Sequence, residues 1–252
     1  MTMGGASEPA FVLRLVPYGE SDLVVTLLSR EQGVFPAMAK AARKSQKRFG
    51  GALELFSRVN AVAGRGRNAG MRLLQESTAV RSHEGIRRDV VKTAMASSWA
   101  EVTCLRVEDG QGGELFDLFD FALAALDEEQ AGSLNAHLFF LVRFLAAMGF
   151  LPRFTSCVAC GRPLDDEGVL RFFPARGGVA CDSCGVAGGM ALHPGTAKQL
   201  AWAARGDLAT ARRVRFSGEA AQEGQRLLER FLAFHLEVEP KSLQFLRDIQ
   251  RA

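Results

Sequence analysis

The sequence predicts an α+β multidomain protein: a small β-barrel, then an α-helical domain with a four-cysteine zinc module inserted in it. Three observations predict this. β-branched and apolar residues cluster in short runs through the first 81 residues, apolar residues recur three and four apart from about residue 84, and two C-x-x-C pairs interrupt the helical part. The 252-residue chain has room for one large domain or two to three small ones. Its composition, 48% hydrophobic and 23% charged, suits a packed chain and is too apolar for disorder.

The strands come first. "AFVLRLVPY" and "DLVVTLLS" cluster β-branched and apolar residues, and the turn "SREQG" leads into "VFPAMAK" with Gly33 at a left-handed position. "LELFSRVNAVA" places Leu53, Leu55, Ser57, Val59, Ala61 and Ala63 on one face of a strand. "GRGRNAG" is a glycine-rich turn and "MRLLQESTAV" returns from it. Four or five such strands bury a core by closing into a barrel.

The helices follow. "LFDLFDFALAALDEE" (Leu115–Glu129) has helical spacing. "LNAHLFFLVRFLAAMGF" (Leu134–Phe150) is very apolar, but it contains His137 and Arg143 and is short for a membrane span, so it reads as a buried helix. Ser133 is its expected N-cap, with Gly149 beyond its end and Pro152 as a stop. "TAKQLAWAARG" ends on Gly206. Ser217 then caps a helix with Leu227, Leu228, Phe231, Leu232 and His235 along one stripe. The expected domains are 1–81 for the barrel, 82–156 and 185–252 for the two helical parts, and 157–184 for the four-cysteine module.

Inside that module, Cys157 and Cys160 form one pair and Cys181 and Cys184 the other, with twenty residues between Cys160 and Cys181. Two residues between thiolates let one turn supply two corners of a tetrahedron, and a hairpin made from "GVLRFF" and "GGVAC" returns the other two. Gly161 and Gly185 follow the pairs, where positive φ is needed. Four thiolates close the coordination sphere, which predicts one structural Zn²⁺ rather than a catalytic one. A redox dithiol pair and two disulfides are the competing readings, and both fit a cytoplasmic chain less well. His193 lies beyond the last Cys and reads as a surface or core histidine. Cys104 reads as a small core residue.

Charge is unevenly spread. Residues 1–81 hold 12 Lys and Arg against 6 Asp and Glu, whereas residues 82–156 hold 6 against 11. The stretch "AKAARKSQKRFGG" concentrates Lys40, Arg43, Lys44, Lys47 and Arg48 without an acidic residue. A basic module on a differently charged scaffold points to a polyanion partner. If the stretch were helical, Lys40 and Lys44, and Arg43 and Lys47, would stand four apart and repel. Arg65 and Arg67, in the glycine-rich turn, are further candidates for phosphate contact. The first residues show no basic and apolar signal segment, and five cysteines fit a reducing cytoplasm.

Catalytic patterns are missing. There is no G-x-x-x-x-G-K-[ST], no H-E-x-x-H and no G-x-S-x-G, and "GRGRNAG" departs from a phosphate loop in spacing and setting. The acidic runs Asp165–Glu167 and Asp127–Glu129 read as solvated faces. Asp22 in "YGESD" reads as a turn residue rather than a catalytic carboxylate. No enzyme is expected.

Four blocks in order carry a family resemblance. "VLRLVPYGESDLVVTLLSREQGVFPAMAKAARKSQKRFGGALELF", "FLAAMGFLPRFTSCVACGRPL", "GGVACDSC" and "KSLQFLRDI" resemble the bacterial recombination mediator family RecO. One departure is Ala41, where the family pattern has glycine. The resemblance implies an N-terminal OB-fold barrel, a helical domain with an inserted zinc module, and no bond chemistry. It implies binding of single- and double-stranded DNA, annealing of complementary strands, and work in the cytoplasm on nucleoid DNA. It implies RecR as a partner, indirect action on RecA, and contact with the acidic C-terminal tail of single-strand-binding protein (SSB), with no membrane role. The metal ligands carry over to Cys157, Cys160, Cys181 and Cys184, and the DNA contact to Lys40, Arg43, Lys44, Lys47 and Arg48. A zinc-ribbon RNA-binding or regulatory factor is the second reading. An enzyme whose zinc acts as Lewis acid is the third.

Overall fold

The computed structural model describes residues 6–64, 70–106, 112–129, 134–164, 168–184, 186–205, 207–208 and 215–251. They form two compact units that divide between Asp127 and Glu128. The helical segments from Glu84 to Asp127 therefore group with the barrel.

In the first unit five strands, β1 (Ser7–Tyr18), β2 (Asp22–Ser29), β3 (Gly33–Ala39), β4 (Arg58–Gly64) and β5 (Arg72–Arg81), close into a barrel in the order β1-β2-β3-β5-β4. β1 pairs antiparallel with β2 and β4, and a short parallel pairing of β3 with β5 completes the ring. This is the OB fold. The interior is filled by Val12, Val25, Leu27, Phe35, Val59 and Leu74, with alanines between them. Gly33 turns the β2–β3 hairpin at φ +70°, as the sequence predicts.

Outside the barrel the unit has a single helical turn, α1 (Gln46–Phe49), and three further helices, α2 (Glu84–Arg88), α3 (Val90–Arg106) and α4 (Gly113–Glu128). A register shift between Val12 and Arg14 leaves Val12 and Leu13 both buried. Phe11 packs away from the barrel interior, 4.9 Å from Phe116 and 5.7 Å from Phe119 on α4. Arg30 with Asp117 and Arg58 with Asp120 pair the barrel to the same helix.

One expected strand is shorter than its alternation. The segment "LELF" is a turn, and β4 begins at Arg58. Phe56 takes φ +67°, which reverses the chain while its ring stays buried. Its N–H donates to the Val12 carbonyl and the Val12 N–H to the Ser57 carbonyl, so β1 still receives its partners. Core burial of one aromatic ring overrides the local period.

The second unit holds α5 (Asn135–Ala147), α6 (Pro194–Ala204), α7 (Gly218–Leu236), α8 (Lys241–Arg251) and a small sheet ordered β7-β6-β8. The strands are β6 (Leu170–Phe173), β7 (Gly178–Ala180) and β8 (Met190–Leu192). The apolar run of α5 is buried along nearly its whole length, and Gly149 takes the expected positive φ after its end. Ser217 caps α7 by accepting the Ala220 N–H at 3.3 Å. Leu227, Leu228, Phe231 and Leu232 are buried as the stripe predicts, and Phe231 meets Phe172 of β6 edge-on at 5.6 Å. Expected features at Ser133, Gly206, Gly185 and Asp165–Glu167 lie outside the described residues.

The unit also buries charge. Glu229 of α7 lies 3.4 Å from His137 Nε2, accepts from Gln225 at 2.8 Å and pairs with Arg247 of α8 at 3.1 Å. Burial alone pushes its pKa up. The hydrogen bond and charge of His137, with Gln225 and Arg247, outweigh that and hold it below the usual carboxylate value. No described helix is long and apolar enough to cross a membrane.

Candidate nucleic-acid interface and metal centre

The basic stretch leaves β3 at Ala39 and turns at once. It is not one helix. Residues 40–44 are turns and only Gln46–Phe49 form the helical turn α1. The four-apart repulsion of a continuous helix therefore does not arise for Lys40 with Lys44. What turns the chain is Ala41, at φ +54° in the left-handed region. A Cβ at this φ is strained, by roughly 1–2 kcal/mol, so the backbone itself favours the glycine that the sequence resemblance led us to expect here.

The turn is held by the motif "YGESD", nineteen residues upstream. Asp22 Oδ1 accepts the Ala41 N–H at 2.7 Å, and the Ser21 carbonyl accepts the Arg43 N–H at 3.0 Å. Asp22 therefore does not close a turn on its own backbone. It fastens the start of the basic segment, a role no local pattern reveals. Arg48 fastens the end: its Nη2 donates to the Lys40 carbonyl at 2.7 Å and its Nε to Ser45 Oγ at 3.2 Å. Its guanidinium also lies 5.0 Å over the Phe49 ring.

The five cations thus divide into two jobs. Arg48 is half-buried and directs its donors to the loop itself. Lys40, Arg43, Lys44 and Lys47 are exposed. Among the described residues the Lys40, Lys44 and Lys47 side chains have no ion pair or hydrogen bond. Arg43 makes one long contact, 3.5 Å to the Glu20 carbonyl. Four solvated cations at one end of a barrel raise the local concentration of any polyanion.

Topology gathers more at that end. Leu23 pairs with Ala39 and Leu74 with Ala39, so the β1–β2 turn, the basic segment and the start of β5 are neighbours. Gly64, the last residue of β4, pairs with Leu73 beside them. Arg65 and Arg67 lie outside the described residues. Arg72 at the start of β5 pairs with Ala37, but its guanidinium lies 4.5 Å over the Phe35 ring and near Glu8, directed away from the basic segment. Phe35, Phe49 and Phe56 are buried, so none of them offers a face to a ligand.

The thiolate module is built as its spacing predicts. β6 and β7 pair antiparallel and return Cys181 and Cys184 to Cys157 and Cys160. The four Sγ atoms lie within 4.8 Å of one another, with Cys157–Cys184 at 3.7 Å, Cys160–Cys181 at 3.9 Å and Cys181–Cys184 at 3.4 Å. Gly161 follows the first knuckle at φ +75°. Cys157 is buried, which pushes its thiol up. The N–H groups aimed at Sγ, from Cys181 at 3.4 Å and Ala159 at 3.3 Å among them, outweigh burial and bring it down to about 6. Beside its three neighbours Cys184 is pushed up to about 12, with Cys181 the largest cause. The donor set fits a metal cation: the thiolates of Cys157 and Cys181 are favoured, and that of Cys184 is disfavoured until positive charge sits among them.

His193 has another duty. It is the N-cap of α6, its Nδ1 accepting the Gly195 N–H at 3.0 Å. Cys104 is half-buried on α3, and burial pushes its thiol up to about 11.

An OB barrel with cations gathered at one end, and a helical unit carrying a four-cysteine knuckle, define a class of two-part protein. The family profile for the N-terminal part of recombination protein O matches residues 3–83, and the one for its C-terminal part matches residues 87–244. The DNA repair protein RecO of Desulfatibacillum aliphaticivorans is 46% identical over 255 residues, covering 99% of both chains. The RecO proteins of Desulfosudis oleivorans and Anaeromyxobacter dehalogenans are each 37% identical, covering 98% and 94% of this chain and 99% and 94% of their own. The chain belongs to the RecO family of DNA repair and recombination proteins.

Proposed function

We propose that this protein is a DNA-binding recombination mediator without a catalytic centre. It binds single- and double-stranded DNA, anneals complementary strands, and with RecR helps load RecA onto DNA coated by SSB, whose acidic C-terminal tail it contacts. It works in the cytoplasm on nucleoid DNA. The observation that carries the reading is the set of exposed cations Lys40, Arg43, Lys44 and Lys47 fastened at one end of an OB barrel. Phosphates contacted there, and by Arg65 and Arg67, release counterions irrespective of sequence. Two strands brought to one cationic surface lose much of their mutual repulsion, which is what annealing requires.

The metal in this reading is one structural Zn²⁺ held by Cys157, Cys160, Cys181 and Cys184. Zn–S bonds of about 2.3 Å at tetrahedral angles give S···S edges of about 3.8 Å, and the three sulfur pairs above span 3.4–3.9 Å. Bound there, zinc supplies folding free energy to the β6–β7 knuckle and no reaction step.

The test is annealing of complementary strands coated with SSB, using intact SSB and a form lacking its acidic tail. Faster annealing of coated strands that depends on the tail is expected. Absence of annealing on both bare and coated strands overturns the reading. Tighter binding to RNA than to single-stranded DNA at matched salt would instead favour an RNA-binding factor.

A further inference from the structure

The barrel region carries five aromatic residues, Phe11, Tyr18, Phe35, Phe49 and Phe56. All four phenylalanines are buried, and Tyr18 is 59% exposed. It is also the sole tyrosine of the chain. It ends β1, and nothing in the core requires it: its strand neighbours on the same face, Arg14 and Val16, are exposed as well. Its hydroxyl is solvated while its ring keeps a face open to a partner, the amphipathic character that suits tyrosine to binding surfaces.

Its position says which partner. Tyr18 pairs across the β1–β2 turn with Asp22, the residue that fastens Ala41. On the next strand Leu23 pairs with Ala39, so Lys40 continues the row that runs through Tyr18 and Asp22. Two strand spacings, roughly 10 Å, separate the tyrosine from the first of the four exposed cations. Between them in that row stands Asp22, its Oδ1 taken up by the Ala41 N–H. The next row on the same outer face is apolar and half-exposed: Val16 pairs with Val24, and Val24 with Met38. An apolar strip ending in an aromatic ring, with exposed cations beyond Asp22, is complementary to a strand whose phosphates and unstacked bases lie side by side.

We propose that Tyr18 is a base-stacking platform that makes the barrel prefer single-stranded over double-stranded DNA. This rests on the DNA-binding reading above. The cations grip either form of DNA, because both present phosphates. Only an unpaired strand can turn a base face toward the ring, since duplex bases are already stacked on both sides. Tyr18 thus adds preference where Lys40, Arg43, Lys44 and Lys47 add affinity.

The experiment measures anisotropy of labelled DNA over a series of matched salt concentrations with three probes: a dT oligonucleotide of roughly 16 nucleotides, an abasic strand of equal length, and a duplex. Stacking is worth about 5- to 150-fold per base. Tyr18→Ala should therefore weaken dT binding by that factor while abasic and duplex binding change less than about twofold. Tyr18→Phe and Tyr18→Trp should restore dT binding, and the salt slope should not change, because no charge is lost. Loss of dT binding equal to loss of abasic or duplex binding overturns the proposal, as does Tyr18→Ala binding dT like the wild type. In the latter case the quadruple Lys/Arg→Ala variant separates the causes. If it weakens dT binding, the DNA reading stands and the ring serves another partner, such as a protein. If it too binds normally, the DNA reading falls with the proposal. Tyr18 is exposed, so an unchanged melting temperature is expected to accompany each substitution.

Discussion

Replacing Lys40, Arg43, Lys44 and Lys47 together with alanine should remove four phosphate contacts and leave the loop standing. Each phosphate neutralised on a single strand contributes about 0.7 to the slope of log K against log salt, so the slope should flatten by about 2.8. Between 50 and 200 mM salt, a fourfold change, that difference amounts to about 50-fold in affinity. The wild type should lose about 50-fold more affinity than the variant over this range, and the two binding curves should approach each other at high salt. Anisotropy titrations of labelled dT at four or more salt concentrations read the slope directly. Arg48→Ala is the internal control. Its guanidinium bonds the Lys40 carbonyl and Ser45 Oγ, so its loss should cost about 1 kcal/mol of stability with little change in slope. An unchanged slope in the quadruple variant would refute the interface. A slope change from Arg48→Ala with no loss of stability would refute the division of labour among the five cations.

Other expectations follow from single features. Ala41→Gly should relieve roughly 1–2 kcal/mol of left-handed strain and return about half of it as unfolded-state entropy, a net gain near 0.5–1 kcal/mol. Differential scanning fluorimetry should then show a rise of roughly 2–5 °C; a fall would mean that the φ of +54° at Ala41 is not strained. Removing the metal with a chelator, or Cys157→Ser, should unfold the β6–β7 knuckle and lower the melting temperature of the second unit, with one zinc released per chain; full retention of the melting curve in the metal-free protein would contradict a structural role. His83, 1% exposed, is held below its ordinary value of 6.5 by burial and then by Arg81, against the pull of Asp127. Its folded-state value is depressed, so its contribution to stability is complete above pH 6.5 and declines as pH falls below it. Thermal melts from pH 7.5 to 5 should show the first unit weakening, and His83→Phe should flatten that limb; an equal decline in the variant assigns the acid sensitivity elsewhere. Glu229, held low, contributes its stability above the ordinary carboxylate value of 4.5 and loses it in stronger acid.

Much of the architecture was legible because it is local. Clusters of β-branched and apolar residues placed β1 and β2, the turn at Gly33 placed β3 in a hairpin with β2, and Ser217 marked the start of α7. The two C-x-x-C pairs announced the thiolate cluster, since ligand spacing is a property of the chain near the metal. The misread element failed for an equally physical reason. Leu53 and Leu55 continue the alternation of β4 on paper, but Phe56 needs the core, and the chain bends to φ +67° to bury it. The network of His137, Gln225, Glu229 and Arg247 was invisible, because its members come from three helices and each looks ordinary within its own.

The relation between "YGESD" and the basic stretch shows what remains hidden until strands pair. Read separately, one is a polar turn and the other an excess of charge. The pairing of Leu23 with Ala39 brings them together, and then each explains the other. Four exposed like charges in one loop repel, and a free loop would relieve the repulsion by spreading. This loop is kept from spreading by Asp22 on the Ala41 N–H, Ser21 on the Arg43 N–H and Arg48 across to the Lys40 carbonyl. Holding repelling charges in place costs free energy in the isolated protein, and a polyanion recovers that cost on binding without also having to order the loop. Asp22 serves this arrangement better than a neutral residue in one respect only, the strength of its charge-assisted bond to Ala41. Its charge also lowers the local positive potential. Asp22→Asn keeps an acceptor oxygen and removes that charge, so it should bind DNA at least as tightly as the wild type. Asp22→Ala removes the acceptor and should bind more weakly despite the same gain in net charge. If both variants strengthen binding alike, electrostatics alone governs the site and the fastening of the loop contributes nothing.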